Sequence, residues 1–178
     1  MIGTTTLIAQ TSFYMPLLQR VRLARQVGRS MIEVGPTLHA VQAMDPDLAI
    51  DAAYRFACRL CLKAINAGTK VHLHLQDEVA INRMDELMWN YPPERFLPHD
   101  VLSSEATKSP VQLGCEEPTL QEGLLINLSE EVPYFFGRFD RVAEIIVQNQ
   151  VSEGRVRYKF YRDRGYPLQH HQLNQWED

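Results

Sequence analysis

No apolar stretch in the 178 residues approaches the roughly 18 consecutive positions that a bilayer-spanning helix needs. Nor does the N-terminal MIGTTTLIAQ place a basic run ahead of a hydrophobic segment, so neither a membrane partner nor an export leader is expected, and a cytoplasmic setting is. Cysteine is scarce: three residues, an odd number, suggest no disulfide framework and fit a reducing compartment. Charge of one sign is scarce as well. Eighteen Lys and Arg stand against 22 Asp and Glu, and the net charge of -4 gives no global attraction to nucleic-acid backbones, so direct nucleic-acid binding is not expected. The nine glycines never fall into GxGxxG or GxxxxGK[ST], so no loop is marked to cradle phosphates. GxSxG and HExxH are missing too. No catalytic residue and no cofactor are therefore expected.

What is present is a chain of about one domain's length, 45% hydrophobic, in which strand and helix signals alternate. TSFYM at 11–15 reads as a first strand. Residues 17–45, with Arg20, Arg22, Arg25 and Arg29, hold a candidate basic helix that Gly28, Gly35 and Pro36 interrupt. Asp45 as N-cap and Pro46 at the first helical position open a helix with a stripe through Ala49, Ala53, Phe56, Ala57, Leu60 and Ala64, closed by Gly68. KVHLHL at 70–75 has strand period. Asp77 caps a helix through Ala80, Met84, Leu87 and Met88 that Pro92 ends. VQL at 111–113, GLLINLS at 123–129 and RVAEIIV at 141–147 read as strands, VPYFFGRF at 132–139 as a short helix, and 149–164 as a last helix stopped by Gly165. This order predicts an α/β fold, a mostly parallel sheet with helices on both faces.

Two constellations mimic metal or redox sites. Cys58 and Cys61 spell CxxC, but in mid-helix rather than at the helix N-terminus where a redox pair gains reactivity, so they are expected to pack in the core. His72 and His74 share a strand face and His170 and His171 are adjacent, yet no acidic or thiol partner at ligand spacing completes a metal site.

Two others suggest binding. DELMWNYPPERFLPHD, 85–100, gathers Trp89, Tyr91 and Phe96 around Pro92 and Pro93, where a helix must stop, and large apolar side chains in a loop need a packing partner. In EGRVRYKFYRDRGY, 153–166, Arg155, Tyr158, Lys159 and Arg162 are spaced i, i+3, i+4, i+7, which puts three cations and one aromatic on one helical face, with Val156 and Phe160 pointing elsewhere and able to bury. Such a face suits an acidic ligand and equally a solvated surface.

The FY of the first strand, AGTKVHLHLQDE, DELMW followed by a proline and FLPHD, LLINLSEEVPYFFGRFDRVAEI, and RYKFYRDRGY together closely resemble the chi accessory subunits of bacterial DNA polymerase III. The resemblance covers roughly 11–15 and 46–172 and treats 1–178 as a single chi-like domain with an atypical insertion at 17–45. It implies a Rossmann-like three-layer α/β/α fold without nucleotide-binding loops and a non-catalytic place in the clamp-loader complex. Two partners follow from it: the psi subunit, which tethers chi to the clamp loader, and the acidic C-terminal tail of single-stranded DNA-binding protein. By the resemblance, the tail site falls on Arg155, Tyr158, Lys159 and Arg162, and Val151, earlier on the same helix, is expected to wall its apolar hollow with Tyr158. The psi surface is expected on Trp89, Tyr91, Pro92, Phe96 and Leu97, with Phe96 as exposed anchor and Trp89 sealing the core. A helicase is a second candidate occupant of that surface. The competing class is a nucleotide-dependent enzyme on a related scaffold.

Overall fold

A computed structural model describes residues 37–41, 46–93, 95–102, 108–147 and 150–173. The expected strand at 11–15 and the Asp45 cap lie outside these residues. The chain runs through β1 (Thr37–Val41), α1 (Pro46–Asn66), β2 (Val71–His74), α2 (Glu78–Asn90), β3 (His99–Val101), β4 (Val111–Gly114), β5 (Leu124–Asn127), a 3₁₀ turn (Tyr134–Arg138), β6 (Arg141–Val147), α3 (Val151–Asp163) and β7 (Gln169–Leu173). All the strand pairs are parallel, in the order β3-β4-β2-β5-β6-β1-β7. The Rossmann-like α/β fold holds.

Two strands correct the sequence reading. Within 17–45, where the sequence marks no strand, Thr37–Val41 is a strand that lies between β6 and β7 in register Thr37↔Ala143 and Thr37↔Gln169, while the candidate basic helix ahead of it, at 17–35, lies outside the described residues. Gln169–Leu173, too polar to read as a strand, pairs at the sheet edge. In both, partners supply the hydrogen bonds that local propensity does not demand.

Three layers follow from which side chains face which way. Val71, Leu73, Val111, Leu113, Ile126 and Ile145 point to one side, where they bury against Ala53, Ala57, Cys58 and Cys61 of α1 and Met84 and Met88 of α2. Leu125 and Val142 point to the other, against Phe135, Phe136 and Phe139 of the 3₁₀ segment and Tyr161 of α3. The CxxC pair therefore packs in the core, as mid-helix placement implies, and burial pushes the Cys58 thiol up to about 12 and the Cys61 thiol well above its usual value. Two glycines set close approaches. A Cβ on Gly123, which has a φ of 94°, would lie 2.3 Å from the Lys70 carbonyl oxygen where β5 enters the sheet, and one on Gly154 would lie 2.7 Å from Ile146, so α3 sits tight on β6 only with glycine there.

Candidate functional site

The sheet brings a row of polar side chains onto the face beneath α3. Glu144 of β6 is fully buried, and its carboxylate accepts from the Tyr161 hydroxyl at 2.7 Å and from Asn127 Nδ2 at 3.0 and 3.1 Å. Arg157 of α3 is buried with it, its Nε 3.3 Å from Glu144 Oε2 and its Nη1 donating to the Ser129 carbonyl. Burial raises the Glu144 pKa, opposed by the Arg157 charge and by the bonds from Tyr161 and Asn127. Sequence spacing did not distinguish this arginine from its neighbours. Only its position at 240° around the helix from Val151, on the side shared with Gly154 and Tyr161, could have signalled it.

With Arg157 turned inward, α3 presents Arg155, Lys159 and Arg162 to solvent. Arg162 also reaches Asp163 at 3.1 Å, an exposed contact of little energy. Tyr158 is half-buried against Ile146, and Val151 is exposed at the start of the helix. All five predicted residues of this face thus lie on one side of one helix, the cations outermost. Val156 departs from expectation: it is 70% exposed, while Phe160 is half-buried against Phe136, with the Arg164 guanidinium 3.6 Å above its ring.

The second surface forms where α2 ends. Asp77 accepts from the Ala80 N–H at 2.8 Å and starts the helix; the Tyr91 N–H donates to Leu87 at its end, and the chain turns with Arg95 N–H to the Pro92 carbonyl at 3.2 Å. Phe96 is 64% exposed, as its place after Glu94 and Arg95 suggests. Trp89 is 61% exposed and does not seal the core, because Met84 and Met88 occupy that position on α2. The two rings lie 5.5 Å apart and make one aromatic patch. Leu97, expected beside Phe96 on the surface, is fully buried, since adjacent residues of an extended chain point oppositely. Tyr91 and Pro92 are half-buried, Tyr91 against the core and under the Arg55 guanidinium at 5.9 Å. Behind Trp89 stands His99, which sequence reasoning did not single out: its ring is 5.3 Å from Trp89 and bonds both Leu97 and Asp85.

Among the described residues no group of three or more His, Cys, Asp or Glu could hold a metal ion. His72 and His74 are buried under Phe135, with Phe139 stacked on His72, and burial lowers their pKa values to about 3 and about 4. No described helix is long and apolar enough to cross a membrane.

The family described as DNA polymerase III chi subunit, HolC, matches residues 46–169, a span that contains both surfaces. A protein named DNA polymerase III subunit chi from Pseudomonas aeruginosa is 39% identical over 138 residues, covering 76% of this chain and 94% of that protein. Proteins of the same name from Haemophilus influenzae and Escherichia coli are 32% and 27% identical, over 63% and 70% of this chain and 81% and 90% of theirs. The chain belongs to the family of DNA polymerase III chi subunits, accessory subunits of the replicative polymerase.

Proposed function

We propose that this chain is a non-catalytic cytoplasmic adaptor: it docks the psi subunit of the clamp loader on its aromatic patch and holds the acidic C-terminal tail of single-stranded DNA-binding protein on α3. The polymerase is thereby linked to coated template. The observation that carries the reading is the exposed face of α3, where Arg155, Lys159 and Arg162 surround the half-buried Tyr158. A tail of acidic residues ending in proline and phenylalanine needs cations for carboxylates and an apolar wall for its last ring. Arg155 can grip a carboxylate through paired hydrogen bonds, Lys159 and Arg162 add charge, and Tyr158 with Val151 forms the wall. At the other end of the domain, the Trp89–Phe96 patch has the aromatic character of an interface anchor.

Calorimetry with a tail peptide tests the first contact. Arg155→Ala should weaken binding roughly tenfold or more and leave psi binding intact. A peptide without the terminal phenylalanine should lose comparable affinity, and binding should decline with salt because exposed charges are screened over about 8 Å at physiological ionic strength. Equal affinity for wild type and Arg155→Ala removes the site from α3. For the second contact, Phe96→Ala should cost about 2 kcal/mol or more of psi binding with the melting temperature nearly unchanged. Intact psi binding would refute the anchor. Titration with fluorescent nucleotide or short single-stranded DNA should show no binding, and saturable nucleotide binding would favour the enzyme class instead.

A further inference from the structure

Both nitrogens of the His99 ring face oxygens. Nδ1 lies 2.6 Å from the Leu97 carbonyl and Nε2 lies 3.0 Å from Asp85 Oδ1. A carbonyl and a carboxylate can only accept, while a neutral imidazole owns one N–H and one lone pair. A singly protonated ring therefore satisfies one contact and turns a lone pair on the other. The His99 side chain is 1% exposed, so water does not relieve that mismatch, and a buried polar atom without its partner is costly. A second proton shared by the pair resolves it. Imidazole is a stronger base than a carboxylate, so that proton belongs on the ring.

We propose that His99, protonated on both nitrogens, is the positioning residue of the Trp89–Phe96 docking surface. The proposal rests on the reading that this surface binds psi. Leu97 follows Phe96 directly, so the bond from Nδ1 fixes the backbone that aims the Phe96 ring. Asp85 and Trp89 are four residues apart on α2 and share one of its faces, so the bond from Nε2 sets the imidazole against the Trp89 ring at 5.3 Å. One side chain from β3 thus ties the loop to the helix, and the two exposed rings meet at 5.5 Å because of it. Among the described residues, the charged groups that interact with His99 are Asp85 from α2 and Asp100, next to it on β3, while β4 places Val111 alongside. Asp100 already accepts from the Lys108 and Ser109 N–H groups. Neither acid, when ionised, offers a donor to a bare ring nitrogen.

The test combines side-chain nitrogen NMR of the free protein with psi binding by wild type, Asp85→Ala and Asp85→Asn. Wild type should show two ring N–H groups on His99 and a close Trp89–Phe96 ring contact. Asp85→Ala removes one tie at a side chain that is 35% exposed, so the ring contact should weaken and psi affinity should drop roughly tenfold with the fold intact. Asp85→Asn separates positioning from folding. Its amide can donate to a bare Nε2, so both ties survive on a single ring proton, and psi affinity should stay within about twofold of wild type. A single ring N–H in wild type with the Trp89–Phe96 contact intact overturns the proposal, as does wild-type psi affinity in Asp85→Ala. Two ring protons and a ring contact that Asp85→Ala loosens, in a protein that never binds psi, would support the clamp and overturn the assigned partner.

Discussion

Replacing Arg157 by methionine keeps most of the side chain's length and removes its charge, leaving the Glu144 carboxylate buried without its cation. At 3.3 Å and an effective dielectric constant of about 20, the pair interacts by about 5 kcal/mol, before the cost of desolvating both groups is subtracted. Breaking one side of a buried pair typically costs about 3 to 5 kcal/mol. Because Tyr161 and Asn127 still donate to the carboxylate, the low end applies, about 3 kcal/mol. For a domain of this size that is a fall in melting temperature of about 6 to 12 °C. The pH dependence carries a sign. Burial already raises the folded Glu144 pKa, and losing the arginine raises it further. The folded variant then holds a proton that the unfolded chain lacks, so its stability falls as pH rises through that interval and recovers below it. Urea denaturation at pH 8 and pH 5.5 should show the variant's deficit against wild type shrinking at the lower pH. Adding Glu144→Gln, which removes the orphaned charge, should restore more than half of the loss at pH 8. A deficit under about 1 kcal/mol at pH 8, or one unchanged at pH 5.5, would refute the account.

His72 and His74 stay neutral when folded, with values of about 3 and about 4 against 6.5 when unfolded, so their contribution is complete above pH 6.5 and lost as pH falls. Each should cost about 2 kcal/mol by pH 5. Urea midpoints at pH 7 and pH 5 should show His72→Leu with about half the acid sensitivity of wild type, and equal sensitivity would count against burial as the cause. Of the three thiols, Cys58 and Cys61 are buried and Cys115 is partly exposed, so a thiol reagent should modify only Cys115 rapidly in the native protein and all three in denaturant. Fast native modification of either helix cysteine would contradict the packing of α1.

Most of the α/β order was legible because its signals are local. Asp77 as a cap, Pro46 at a first turn, Pro92 after α2 and Gly165 after α3 act through backbone geometry within a few residues, and apolar runs such as Leu124–Asn127 and Val142–Val147 demand burial on both faces wherever they fold. Spacing alone also gathered Arg155, Tyr158, Lys159 and Arg162, since a helix carries its faces with it. What depended on neighbours was illegible. Thr37–Val41 and Gln169–Leu173 are strands because β6 and β1 offer them edges, and nothing in TLHAV or QHHQL requires it. Whether Trp89 or Leu97 faces water is decided by what the core already holds: Met84 and Met88 fill the place beneath α2 and push Trp89 out, while the extended chain after Phe96 turns Leu97 in. The sequence RVRYKFYR contains Arg155 and Arg157 as equals. Only the sheet, by setting Glu144 under the second turn's inner face, makes one a buried counter-charge and leaves the other exposed to solvent, because a carboxylate buried away from water must have its cation beside it.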